Sequence, residues 1–191
     1  MKIGLYFGSF NPIHHGHLII ASYILNNYPV DQIWFVVSPQ NPLKSSTALL
    51  NEYHRLHLVQ LALEEVPNMR ASDIEFRLPR PSYTIDTLTY LQEKYPAYLF
   101  SVIMGGDSFK NISHWKNHEV LISRYELFVY RRPGFDMQIS TNYANIHLID
   151  APYLEISATQ IRENIKSGKS IRFLVPEKVR EEIERNGYYR H

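Results

Sequence analysis

The sequence contains no cysteine, which removes disulfide frameworks, thiolate zinc sites and thiol nucleophiles from consideration and fits a reducing compartment. Neither charge is in excess: 20 Lys and Arg face 19 Asp and Glu, leaving a formal +1. No global field therefore draws the chain to nucleic acid or to an anionic membrane, and any anion site has to be local. Long apolar runs are missing as well, since nothing approaches the ~20 residues of a membrane-spanning helix. The opening "MKIGLYFGSF" has one lysine and an apolar run too short for a secretory signal with its cleavage site. A cytoplasmic location is the expectation. The 14 tyrosines are not interleaved with a basic stripe, so they predict packing and rim rather than a platform for nucleic acid.

What is present is an ordinary core: 191 residues, 45% hydrophobic and 20% charged, with no repeat, low-complexity tract or linker, predict one domain over 1–191. "KIGLYF" reads as a buried strand running into turn residues Gly8, Ser9, Asn11 and Pro12, and "HLIIASYILNNY" follows as a helix. "IWFVVS" is a second strand, so the first helix is a crossover between parallel neighbours. Residues 51–65 form a further helix with Asn51 as N-cap and Leu56, Leu58, Val59, Leu61, Ala62 and Leu63 available to bury. "MRASDIEF", "YLFSVIMGG" and "YELFVYRR" read as strands, "YTIDTLTYLQEKY" as a helix, and "NIHLIDAPY" as one more short strand. The alternation predicts an α/β fold, a doubly wound parallel sheet of about five strands with helices on both faces. A helical C-terminal part, about 156–191, carries "SATQIRENIKSG" and "PEKVREEIERNG", each stopped by glycine and the second opened by Pro176.

Two motifs carry chemistry. "GSFNPIHHGH", Gly8 to His17, occupies the loop after the first strand, where open α/β sheets bind ligands. Gly8 permits close backbone approach, and the helix starting near Gly16 offers free N–H groups and a positive dipole end to an anion. His14 and His17 share a face if the first turn includes both, while His15 points elsewhere. The spacing is neither a dinucleotide-binding glycine pattern nor a P-loop. A histidine at a helix start also serves as a simple cap or a partly buried polar group, and a metal site would need a third or fourth ligand that neither cysteine nor an HExxH helix supplies. "ISATQIR", Ile156 to Arg162, starts a helix with Ser157 as N-cap, Thr159 in its first turn and Arg162 one turn on. Hydroxyls, N–H groups and a guanidinium there suit a polyphosphate.

"GSFNPIHHGH" resembles the GxFxPxHxGH signature of the HxGH nucleotidyltransferase superfamily, and "ISATQIR" resembles its paired ISxTxxR element. Within it the chain is similar, end to end, to the bacterial nicotinate-nucleotide adenylyltransferases, to which "PQNPLK", "PSYTIDTL" and "GGDSFKNISHW" also fit. Asn11 departs from the aspartate common at that motif position. The resemblance implies a Rossmann-like nucleotidyltransferase fold and transfer of AMP from ATP to nicotinate mononucleotide, with pyrophosphate leaving. It implies His14, His17 and Arg162 as catalytic residues. ATP would meet Gly8, Ser9, Phe10, Gly16, His17, Gly105, Asp107, Ile156, Ser157, Thr159 and Arg162. The mononucleotide would meet Asn41, Lys44, Tyr83, Thr84, Asp107 and Trp115. Mg²⁺ would enter on the ATP phosphates, with no resident metal in the protein. Such a transfer proceeds by in-line attack with charge stabilisation and needs no protein nucleophile.

Several of these residues admit plainer readings: Trp115 as core, Asp107 as a helix cap, Lys44 as a solvated side chain, and Tyr83 and Thr84 as part of a helix start capped by Ser82. Two rival functions stand beside the first: the same transfer to another acceptor, such as nicotinamide mononucleotide, phosphopantetheine or a polyol phosphate, and a non-catalytic nucleotide-binding protein. Both a monomer and a homo-oligomer remain open.

Overall fold

A computed structural model describes residues 1–39, 49–131, 144–152 and 154–190. Six strands form one sheet: β1 (Lys2–Gly8), β2 (Gln32–Val37), β3 (Met69–Ser72), β4 (Leu99–Gly105), β5 (Glu126–Tyr130) and β6 (Ile146–Ile149). Their order is β3-β2-β1-β4-β5-β6 and every neighbouring pair is parallel. The helices are α1 (His15–Asn27), α2 (Glu52–Leu63), α3 (Thr84–Lys94), α4 (Gly106–Lys110), α5 (His118–Arg124), α6 (Ala158–Lys166) and α7 (Glu177–Asn186).

Side chains that alternate along each strand feed two separate cores, one on each face of the sheet. On one face Tyr6, Ile33, Phe35, Val37, Ile103 and Phe128 pack with Ala21 and Ile24 of α1, Leu58, Val59 and Leu63 of α2, Ile161 of α6, and Val179 and Ile183 of α7. On the other, Ile3, Leu5, Trp34, Val36, Val102, Met104, Leu127 and Val129 pack with Leu88 and Leu91 of α3 and Leu121 of α5. The near-continuous apolar strands therefore have helices to cover both faces. Among the described residues no helix is long and apolar enough to cross a membrane.

To the about five strands expected, the short strand read in "NIHLIDAPY" adds a sixth at the edge, pairing with β5 through Leu127–Tyr130. "MRASDIEF" is a strand only to Ser72; a 3₁₀ turn over Ile74–Arg77 follows, which keeps Ile74 in the core while turning the Glu75 carboxylate inward. On α2, Leu56, Leu61 and Ala62 are only partly buried, whereas Arg55 is fully buried. Asn51 caps α2 by accepting from the Tyr53 N–H at 2.9 Å. Pro176 occupies the N-cap of α7 rather than its first helical position, and Gly187 ends that helix in the left-handed region at φ 65°.

Candidate active site

A cleft of about 980 Å³ opens at the carboxyl ends of the strands. It lies where the order turns from β1 to β4, the switch point at which such sheets bind ligands. The loop after β1 supplies Gly8, Ser9, Phe10, Asn11, His14 and His17 to its wall. Two of the glycine requirements are explicit. A Cβ on Gly8 would lie 2.9 Å from the Phe10 ring, and one on Gly16 would lie 3.0 Å from Nδ1 of His14. Gly16 thus leaves room for a histidine ring rather than lining the cleft itself. Phe10 sits at φ 44°, a strained setting for an aromatic residue. Its buried ring is gripped edge-on by Tyr6 at 5.7 Å and His17 at 5.1 Å.

α1 begins at His15, with His14 as its extended N-cap and His17 at the third helical position. The two rings stack at 3.7 Å between centroids, 27° from parallel. The His14 N–H donates to Nδ1 of His17 at 3.3 Å, so a neutral His17 carries its proton on Nε2 and donates from there. His15 does not line the cleft. Its N–H donates to the Leu174 carbonyl at 3.0 Å, tying α1 to the loop before α7.

The opposite end of the chain arrives at the same place. Ile156, Ser157, Thr159 and Arg162 all line the cleft. Ser157 caps α6 by accepting from the Gln160 N–H at 3.2 Å. Arg162 donates to the Asn11 carbonyl at 2.8 Å and to the Thr159 hydroxyl at 3.2 Å, so the two motifs are physically joined. From β4, Gly105 and Asp107 line the cleft. Gly105 is the N-cap of α4 and Asp107 stands in its first turn, so the capping alternative for Asp107 does not hold. Trp115 is half-buried, packed against the second core and also on the wall of the cleft. Tyr83 and Thr84 line the cleft at the start of α3. Tyr83, not Ser82, is the N-cap there, because the Ser82 hydroxyl is committed to Glu75 at 2.9 Å. Asn41 and Lys44 lie outside the described residues.

Two residues that sequence reasoning passed over support the site. Arg55 is 1% exposed, and its guanidinium donates to the carbonyls of Ser9 at 2.6 Å, Ser38 at 2.8 Å, Pro39 at 3.1 Å and Leu50 at 2.8 Å. It pins the loop after β1 to the segment leaving β2. Asn11 joins the knot through Oδ1, which accepts from the Leu50 N–H at 3.2 Å. Burial lowers the Arg55 pKa, but a guanidinium starts so high that it stays charged. Glu75 is 2% exposed and also lines the cleft; burial pushes its carboxyl above the usual range, against hydrogen bonds from the hydroxyls of Ser82, Ser38 and Thr87. The sequence signal for both was a charged residue at a position the helical or strand pattern assigns to the core. Among the described residues no group of three His, Asp or Glu is arranged to hold a metal ion.

The sequence matches the cytidylyltransferase-like family over residues 5–164. It is 50% identical to the probable nicotinate-nucleotide adenylyltransferase of Flavobacterium psychrophilum, with all of both chains covered. To the protein of the same name in Cytophaga hutchinsonii it is also 50% identical, over 99% of this chain and 98% of that one. Among solved structures, the fold is shared with the Plasmodium falciparum nicotinic acid mononucleotide adenylyltransferase complexed with NaAD, at a TM-score of 0.83 and 22% identity over 98% of this chain and 97% of that one.

Proposed function

This chain belongs to the cytidylyltransferase-like family and, within it, to the nicotinate-nucleotide adenylyltransferases, and from that membership we infer that it moves AMP from ATP to nicotinate mononucleotide, a step of NAD synthesis. The observation that carries the reading is the junction of the two phosphate-suited motifs: Arg162 of "ISATQIR" bonds the Asn11 carbonyl of "GSFNPIHHGH" on the wall of one cleft. A site so placed can take a polyphosphate against histidines, N–H groups and a guanidinium together.

In the transfer, a 5′-phosphate oxygen of the mononucleotide attacks the α-phosphorus of ATP in line. The new P–O bond forms as the bond from the α-phosphorus to the bridging oxygen of the β-phosphate breaks, and pyrophosphate leaves with that electron pair. His14, His17, Lys44 and Arg162 neutralise the oxygens on which charge grows, with His17 donating from Nε2. Gly8, Ser9, Phe10, Gly105, Asp107 and the start of α6 receive ATP. Trp115 offers its face to the pyridine ring. The N–H groups of Tyr83 and Thr84, leading α3, meet the ring carboxylate and favour the acid over the amide. Mg²⁺, which would screen the phosphate charge, fits this site as a passenger on the polyphosphate, because the donor set of the cleft is histidine, hydroxyl and N–H rather than a carboxylate cluster. A cytoplasmic address belongs to the same proposal and rests on the lack of cysteine.

The test is pyrophosphate release with ATP, Mg²⁺ and a panel of acceptors. Turnover is expected with nicotinate mononucleotide and markedly less with the amide; equal or higher rates on the amide would refute the carboxylate-reading pocket, and no release with any acceptor would favour a binding protein. His17→Ala is expected to lower kcat by about 10²-fold or more, and turnover within a few-fold of wild type would remove His17 from its role.

A further inference from the structure

Among the described residues the fully buried charged side chains of the Asp, Glu, Lys and Arg class are Arg55 and Glu75, and Glu75 takes no part in the transfer set out above. It stands in the 3₁₀ turn after β3. Its Oε2 accepts from the Ser82 hydroxyl at 2.9 Å and its Oε1 from the Thr87 hydroxyl at 3.0 Å. The Ser38 hydroxyl also bonds it. A buried carboxylate held by hydroxyls alone is a costly way to fill a core position, so its partners indicate what it is for.

Ser82 and Thr87 bracket Tyr83 and Thr84, one residue before them and three after. The Tyr83 carbonyl accepts from the N–H groups of Asp86 at 3.0 Å and Thr87 at 3.1 Å, which closes the first turn and leaves the leading N–H groups of α3 directed out of its end. Both anchors of that turn run to one carboxylate, and the carboxylate is fixed in turn to Ser38 at the end of β2. Ser38 is itself held, its N–H donating to the Gly8 carbonyl at 2.9 Å and its carbonyl accepting from Arg55 at 2.8 Å. The start of α3 is thereby linked through Glu75 and Ser38 to the loop after β1.

We propose that Glu75 is a positioning residue for the acceptor: through Ser82 and Thr87 it fixes the Tyr83–Thr84 turn in the register that meets the mononucleotide's ring. This rests on nicotinate mononucleotide being the acceptor. Thr87 is a probe that cannot touch a substrate, because it is fully buried and does not line the cleft; its hydroxyl reaches Glu75 at 3.0 Å and the Tyr83 carbonyl at 3.4 Å, so it acts through the carboxylate and the turn together.

The experiment uses the full-length chain and pyrophosphate release, varying each substrate against saturating amounts of the other. In Glu75→Gln and in the near-isosteric Thr87→Val, the KM for nicotinate mononucleotide is expected to rise about tenfold, while the KM for ATP stays within about twofold. An unchanged mononucleotide KM in Thr87→Val, or a rise shared equally by ATP, would overturn the proposal in favour of a purely structural role. Should Glu75→Gln fail to fold, Ser82→Ala joins Thr87→Val, since the Ser82 hydroxyl bonds Glu75 at 2.9 Å, and the same split in both decides. If wild type itself releases no pyrophosphate with this acceptor, it is the acceptor assignment that fails; if wild type is active and the variants show no split, it is the positioning role.

Discussion

At the scale of single residues, the candidate site is held by buried charged side chains, Arg55 and Glu75. Arg55, itself buried, donates to four carbonyls from three segments of the chain. Lysine keeps the charge but presents its donors from one point and cannot span carbonyls from three segments. Arg55→Lys is therefore expected to cost about 2 kcal/mol or more of stability, read as a lower urea midpoint at constant slope; a change under about 0.5 kcal/mol would show that the knot is not needed. The histidines and the ISATQIR residues were legible in the sequence because a short, ordered motif fixes them. Arg55 and Glu75 were not, since charge at a core position counts against burial until its partners are known, and those partners are backbone carbonyls and hydroxyls that carry no signature. Ser82 misled for a related reason: a serine before a helix invites the capping assignment, but a buried carboxylate out-competes the helix end for its hydroxyl.

At the scale of elements, the reading went furthest where period and punctuation agreed. β1, α1, β2 and β4 lie within two residues of their expected bounds, and the C-terminal helices end on their glycines. The failure is at β3, where the apolar pattern of "MRASDIEF" continues through a 3₁₀ turn that no local residue announces; the short strand expected in "NIHLIDAPY" is β6, though its pairing with β5 is a tertiary choice. α6 shows an element serving structure and site together. Ser157 holds its first turn through the Gln160 N–H, and that turn and the next bring Thr159 and Arg162 to the cleft wall. Removing the cap with Ser157→Ala is expected to destabilise the protein by about 1 kcal/mol, checked by chemical denaturation; no loss would mean that water or a neighbouring group replaces the hydroxyl.

At the scale of the whole molecule, α7 lies on α2 in the core of one sheet face. The contact is reinforced by Lys178, whose ammonium meets Glu64 at 2.8 Å and Glu65 at 2.9 Å, and by the Tyr188 hydroxyl with Nδ1 of His54 at 2.9 Å. Those exposed ion pairs are worth little alone; Val179 and Ile183, fully buried, supply the larger share. Both tryptophans belong to the other face, Trp34 within that core and Trp115 against it. Ile183→Ala is expected to cost about 2–5 kcal/mol and to lower the unfolding midpoints seen by far-UV circular dichroism and by tryptophan fluorescence together. Transitions that separate would mark the C-terminal helices as a unit of their own.

The bond from Arg162 to Asn11 spans 151 positions, and behind it the Tyr189 phenol, its pKa raised by burial, lies within electrostatic reach of Arg55 and Arg162. The first loop to be synthesised thus waits for nearly the last helix before it is complete. On the proposed function, a nascent chain still threading out of the ribosome, or one cut short before α6 by a premature stop, holds the histidines without the guanidinium, so the site proposed for ATP is assembled only in a nearly finished molecule.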